Sequence, residues 1–176
     1  MGDFMKANLI VAMDREGLIG LDGQLPWQTH DAFRREDLTH FKNTTKGHPC
    51  IMGHRTFRSL SRRLVGRQEI VVSRSPALAV THSTLILVAN ELSRAVEIAG
   101  GITPFVMGGA TLYRQLLQRR QEWEGLSFVT VLRATIKVSE GQEATYFPLK
   151  PHDLAELGEQ VSETTTAYAN YLVYRR

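Results

Sequence analysis

The chain has 176 residues, 43% apolar and 22% charged, with a formal net charge of +3 and a single cysteine, Cys50. That length and apolar content suit one domain, residues 1–176, and the mild, scattered charge gives no case for a nucleic-acid partner. One cysteine excludes an internal disulfide and a cysteine metal cluster. It fits a reducing cytoplasm. With no leader-like N-terminus and no membrane-length apolar run, the expectation is a soluble, cytoplasmic, monomeric protein without a membrane partner or a metal.

In chain order, "ANLIVAM" (7–13), "PCIMG" (49–53), "EIVVS" (69–73), "TLILVA" (84–89) and "PFVMG" (104–108) read as buried strands. Each is short, nearly continuous in apolar character and bounded by Gly, Pro or polar residues. Between them "DLTHFKNTT", "HRTFRSL", "NELSRAVEIA" and "ATLYRQLLQRR" read as helices. In the third, Asn90 suits an N-cap, Leu92, Val96 and Ala99 share a face, and Gly100-Gly101 ends the element. Alternation of this kind predicts a mostly parallel, twisted sheet with helices on both faces. Past residue 125, "LSFVTVLRATIKV" and "TAYANYLVYRR" are strand-like with no helix between them, which predicts an antiparallel C-terminal edge. In such an α/β domain a ligand binds outside the carboxyl ends of the parallel strands.

Three of those strand ends carry chemistry suited to phosphate. "VMGGATLY" runs from a strand through Gly108-Gly109 into a helix, where free N–H groups face outward; a tight strand–helix turn is the plainer reading. "CIMGHRTF" places His54, Arg55 and Thr56 after Gly53 at a helix start, which suits an anion as well as it suits a solvated basic turn. "VVSRSP" sets Ser73 and Arg74 just beyond a strand, before Pro76. An arginine and a hydroxyl there suit the extra ribose phosphate that separates NADP from NAD. Together the three ends are what a dinucleotide lying along a sheet edge requires.

The order and spacing of "LIVAMDREGLIGLDGQLPW", "DLTHFK", "PCIMGHRTF", "LVGR", "VVSR", "VMGGATLY", "SFVTVL" and "TYFP" resemble the dihydrofolate reductase family from residue 8 to the C-terminus. The resemblance implies reduction of 7,8-dihydrofolate to tetrahydrofolate with NADPH. It implies that Ile10, Val11 and Ala12 line the pterin pocket, with Ala12 also touching the nicotinamide. Ile19 and Gly20 would begin a closing loop that reaches Leu25 and Trp27, shielding hydride transfer from water. Trp27 would pack by the pterin and help hold an ordered water. Arg67 would grip the α-carboxylate of the substrate's glutamate tail, with Leu60 and Leu64 flanking the aminobenzoyl ring. Gly53, His54, Arg55, Thr56, Ser73, Arg74 and Gly108 to Leu112, including Ala110 and Thr111, would hold the cofactor. Gly108–Gly109 would be a cis peptide, with Met107 and Tyr113 near the reacting rings, and Thr130 would hydrogen-bond the catalytic carboxylate.

Asp31, Glu36 and Asp37 compete for that carboxylate. A pterin presents an amino group and a ring N–H side by side, and one carboxylate on a helix face with apolar neighbours accepts both. Asp37 and Phe41 are four apart, with Leu38 beside them, matching the family's pattern. Asp31 suits a helix start, and Glu36 points elsewhere around the helix, so both are expected on a solvated face. Burial beside Leu38 and Phe41 should raise the Asp37 pKa.

Four departures stand out. The charged spacer "THDAFRRE" is long, and would extend the helix or enlarge a loop. His54 stands where an arginine is usual, which implies weaker or more pH-sensitive cofactor binding. Ala110 replaces a frequent third glycine. Ala144 lies where an acid often stabilises the closed loop. Two rival readings keep the fold: an NADPH-dependent pyrimidine reductase of riboflavin synthesis, and a non-catalytic folate- or nucleotide-binding protein. The first has no use for Asp37, Leu38 and Phe41 together with Arg67; the second has none for an intact acid.

Overall fold

A computed structural model describes residues 5–75 and 86–176. Its strands are β1 Met5–Lys6, β2 Asn8–Met13, β3 Leu18–Leu21, β4 Cys50–Gly53, β5 Glu69–Val72, β6 Ile86–Ala89, β7 Phe105–Val106, β8 Trp123–Glu124, β9 Leu126–Leu132, β10 Ala144–Tyr146, β11 Glu159–Thr165 and β12 Ala169–Arg175. The helices are α1 Asp31–Thr45, α2 His54–Ser59, α3 Leu92–Ile98 and α4 Ala110–Gln118, with a 3-10 helix at Pro151–Leu157. The α/β class with a mostly parallel sheet is as expected. Residues 84 and 85 of the expected fourth strand, and Pro76, lie outside the described residues. No helix among the described residues is long and apolar enough to cross a membrane.

The chain forms two compact units. The first comprises Met1–Asn8 and Thr45–Gly125. Its strands run β7-β4-β5-β6, every pair parallel, so Gly53, Ser73 and Met107 emerge at one edge. Apolar runs such as Cys50-Ile51-Met52 and Ile70-Val71 are buried because a parallel strand is covered on both faces. Cys50, Met52 and Val71 form a core with Phe57, Leu60, Leu64, Ile86, Val88 and Met107 against it. Burial pushes the Cys50 thiol up to about 11, so it stays a neutral packing group. Glu91, not Asn90, occupies the N-cap position of α3, while Gly100 and Gly101 close it at φ of 68° and 89°. At the other end of this unit, Trp123 is buried and its Nε1 donates to the Ala7 carbonyl at 2.5 Å. A Cβ on Gly125 would collide with that carbonyl oxygen, so only glycine passes there.

The second unit comprises Leu9–Thr44 and Leu126–Arg176. Its strands run β11-β12-β9-β2, with β2 parallel to β9 and the other pairs antiparallel. The expected antiparallel edge is present but larger than the sequence shows, because β11, "EQVSETT", was not anticipated. It is exposed throughout and lacks apolar alternation; its charges suit a sheet edge. The expected strand over 126–138 ends at Leu132, and a 3-10 helix interrupts the stretch expected to be free of helix. Helix α1 begins at Asp31, so the charged spacer extends the helix rather than enlarging a loop. Phe33 is the reason: it packs edge-on against Trp27 at 5.3 Å, within a core that includes Leu132 and Ala169.

Candidate active site

Asp37 projects from the second turn of α1 and is only 7% exposed. Its Oδ2 accepts a hydrogen bond from Trp27 Nε1 at 3.1 Å. Desolvation pushes its pKa from the ordinary 3.8 up to about 6; the Trp27 bond opposes the rise and the neighbouring Glu36 charge adds to it. A carboxyl of this kind changes protonation close to neutrality, which a solvated one does not. Trp27 itself is fully buried, with Ala12, Leu25, Ile136 and Tyr171 around its cluster. Ala12 pairs with the buried Thr130 in the β2–β9 register, and Ile10 and Val11 lie buried just before it. Phe41 is half-buried, but Leu38 is 47% exposed. Asp37 is buried as expected, while Leu38 beside it in sequence leaves about half of its side chain in solvent.

The other two acids divide. Asp31 is exposed in the first turn and pairs with Arg34 at 3.3 Å, a surface contact of small energetic weight. Glu36 is not on a solvated face, contrary to expectation. Its Oε1 accepts from Thr166 Oγ1 and Tyr171 Oη, each at 2.7 Å, which ties α1 to the β11–β12 hairpin. Burial and the Glu36 bond push the Tyr171 hydroxyl far above its usual range, and its ring lies 4.4 Å from that of His40. Sequence reasoning missed this because both partners are over a hundred residues away.

Ile19 and Gly20 lie in β3, which pairs antiparallel with β10. Asp22 continues that pairing: Oδ1 accepts from Glu143 N at 2.9 Å and Oδ2 from Gln142 Nε2 at 3.0 Å. An acid therefore ties the two segments, but from the side opposite Ala144. The buried Asp14, another residue not foreseen, accepts from Glu16 N, Leu18 N and Ile136 N at 2.8–2.9 Å and fixes the turn into β3.

In the first unit two of the anticipated strand ends meet. Gly53 N donates to the Gly108 carbonyl at 2.8 Å, and Leu112 and Tyr113 N–H groups reach the Gly109 carbonyl. Gly108–Gly109 is cis. A Cβ on Gly108 would meet Tyr113 Oη at 3.2 Å, and one on Gly109 would meet Thr56 Oγ1 at 3.3 Å. His54, Arg55 and Thr56 open α2 while Ala110, Thr111 and Leu112 open α4, so both helix starts adjoin this glycine cradle. The third strand end opens a cleft of about 390 Å³ lined by Ser73, Arg74, Ser75, Val88, Ala89, Asn90 and Arg94. Arg94 adds a second guanidinium there; on sequence it is one more surface residue of a helix. Leu60, Leu64 and Arg67 belong to the 60–67 segment after α2, with both leucines packed on the unit's core and Arg67 Nη1 donating to Thr45 Oγ1 at 2.9 Å.

The family model described as dihydrofolate reductase matches residues 6–167. Dihydrofolate reductase type 3 of Salmonella typhimurium is 33% identical over 163 residues, covering 92% of this chain and 88% of that protein. The dihydrofolate reductase of Bacillus subtilis (strain 168) is 39% identical over 110 residues, covering 62% of this chain and 61% of that one. In three dimensions the chain is similar to the dihydrofolate reductase of Enterococcus faecalis, solved in complex with NADP(H) and RAB-propyl. The TM-score is 0.73 at 23% identity, over 98% of this chain and 96% of that one, a likeness of fold. On the extent of the family match and of the Salmonella relative, the chain belongs to the dihydrofolate reductase family.

Proposed function

We propose that this chain reduces 7,8-dihydrofolate to 5,6,7,8-tetrahydrofolate with NADPH, residues 1–176 acting as one monomeric cytoplasmic enzyme. The observation that carries the reading is the buried Asp37, bonded to Trp27 and pushed up to about 6, in a chain of this family. Asp37 accepts the pterin's amino and ring N–H groups, and with a pKa near neutrality it favours the protonated substrate. Trp27 fixes the carboxylate's orientation through its N–H. Thr130 and the β2 residues Ile10, Val11 and Ala12 form the wall behind it, and Leu38 and Phe41 offer apolar contact to the ring system. NADPH, when bound, would supply the hydride for the reduction. The closing-loop residues Ile19, Gly20 and Leu25 exclude water from that step.

The strand ends suit such a cofactor. The cradle of Gly53, Thr56, Gly108 and Gly109 admits a close backbone approach, and the helix starts beside it offer N–H groups to a pyrophosphate. Met107 and Tyr113 flank this cradle at the nicotinamide end. The cleft with Arg74, Arg94, Ser73 and Ser75 suits a ribose 2′-phosphate. Hence Arg74→Ala is expected to raise the KM for NADPH roughly 10- to 100-fold and leave that for NADH unchanged. Equal losses with both cofactors would place the phosphate elsewhere. The activity itself is tested by following oxidation of NADPH with and without dihydrofolate. Turnover that needs dihydrofolate supports the reading. Turnover with a riboflavin-pathway pyrimidine instead, or with neither, removes it.

A further inference from the structure

Glu69 opens β5, and its side chain is completely shielded from solvent. Nothing about a strand's first residue requires a buried carboxylate, and burying one is costly unless its oxygens are used. Here both are. Oε1 accepts from the Leu64 backbone N–H at 2.5 Å. Oε2 lies 2.6 Å from Arg63 Nε as an ion pair out of line for a hydrogen bond, the arginine side chain being 44% exposed. Both partners belong to the 60–67 segment. Leu64 then begins a tight turn: its carbonyl accepts from Arg67 N at 3.1 Å, across Gly66 at a φ of 72°. At the far end of the same arginine, Nη1 donates to the buried Thr45 hydroxyl at 2.9 Å. The backbone of Arg67 is thus set through the Glu69–Leu64 bond and its guanidinium through Thr45.

We infer that Glu69 is a positioning residue for the substrate's glutamate tail, acting through Leu64 and the turn to aim Arg67. The inference rests on the proposed activity and deepens it. Leu64 would flank the aminobenzoyl ring and Arg67 would take the α-carboxylate, and one buried carboxylate fixes the spacing between the two. A fork-shaped guanidinium gains its full strength only when its plane faces the carboxylate. Loosening the turn therefore weakens recognition of the tail while leaving the pterin and the cofactor untouched.

The test compares dihydrofolate with 6-methyl-7,8-dihydropterin, which has the reacting ring and no tail, for wild type, Glu69→Ala, Glu69→Gln, Arg67→Ala and the double variant Glu69→Ala/Arg67→Ala. Glu69→Ala is expected to raise the KM for dihydrofolate about tenfold with kcat within about twofold, and to leave the KM for the tail-less pterin unchanged. Glu69→Gln, which keeps an acceptor for Leu64 N–H, is expected to recover most of that loss. In the double variant the Glu69 change should add clearly less than it does alone, since only the Leu64 contact and no longer a guanidinium remains to be placed. Should Glu69→Ala not fold, a small rise in KM for dihydrofolate alone in Glu69→Gln supports the inference. Equal effects on both substrates, additive losses in the double variant, or no tail-dependent effect in Glu69→Gln overturn it. Wild-type protein that reduces neither pterin overturns instead the activity on which it rests.

Discussion

Asp37→Asn is expected to lower kcat/KM for dihydrofolate by about 100- to 1,000-fold at neutral pH, and at the same pH to make the protein harder to melt. The first effect follows from losing the buried charged acceptor held by Trp27 Nε1, the group proposed to take the pterin. Asparagine keeps the shape and one acceptor but cannot hold or favour the proton. The second follows from linkage. The carboxyl's pKa is raised in the fold, from the ordinary 3.8 to about 6, mainly by desolvation. A raised acid contributes its full stability below pH 3.8, where it is protonated folded or unfolded, and loses that contribution as pH climbs to about 6. The difference corresponds to roughly 3 kcal/mol at neutral pH. Asparagine is neutral throughout, so the variant should melt above the wild type at neutral pH and level with it below pH 3.8. Its residual activity should recover in acid, where dihydrofolate is already protonated, so the ratio of wild type to variant narrows. Steady-state kinetics and melting curves across that range decide both. Full activity of the variant at neutral pH would mean that another acid, Asp31 or Glu36, serves the pterin.

The burial of Asp37 was legible because a helix places residues four apart on one face, and Asp37 and Phe41 satisfy that spacing. Phe33 lies four residues before Asp37 and extends the same stripe, a signal present in the sequence that would have moved the start of α1 back to Asp31. The parallel strands were legible because burial on both faces leaves a continuous apolar run. Strand β11 was not, since an exposed edge strand is held by backbone pairing to β12 and needs no apolar residue. The Trp27–Asp37 bond, the Glu36 contacts with Thr166 and Tyr171, and the Glu69 contact with Leu64 were hidden for a different reason. Each depends on where two segments meet, and a carboxylate's spelling is the same whether it faces water or a buried N–H. Arg94 joined Arg74 only when β5 and β6 lay side by side.

Trp27→Ala is expected to cost roughly 3–5 kcal/mol of stability, because a fully buried indole leaves a void that Phe33, Leu132 and Ala169 cannot close. That variant alone does not separate packing from chemistry, and Trp27→Phe does. Phenylalanine keeps an aromatic ring against Phe33 but removes the N–H that Asp37 accepts at 3.1 Å. The bond opposes the rise in the Asp37 pKa, so its loss moves that pKa above about 6. The sign is fixed by linkage. With the folded pKa raised further, stability is unchanged by this group below pH 3.8 and goes on falling to a higher pH, so the total loss is larger. Trp27→Phe should therefore show a modest melting deficit in acid, from lost packing, and a larger one at neutral pH. The pH at which its activity declines should lie above that of the wild type, while kcat/KM in the neutral range falls several-fold as the carboxylate loses its orientation. A deficit that is the same at every pH, with an unmoved activity profile, would reduce Trp27 to a core residue. A pH-dependent deficit would mean that the same indole that holds the loop to α1 also sets the charge of the acid in the site.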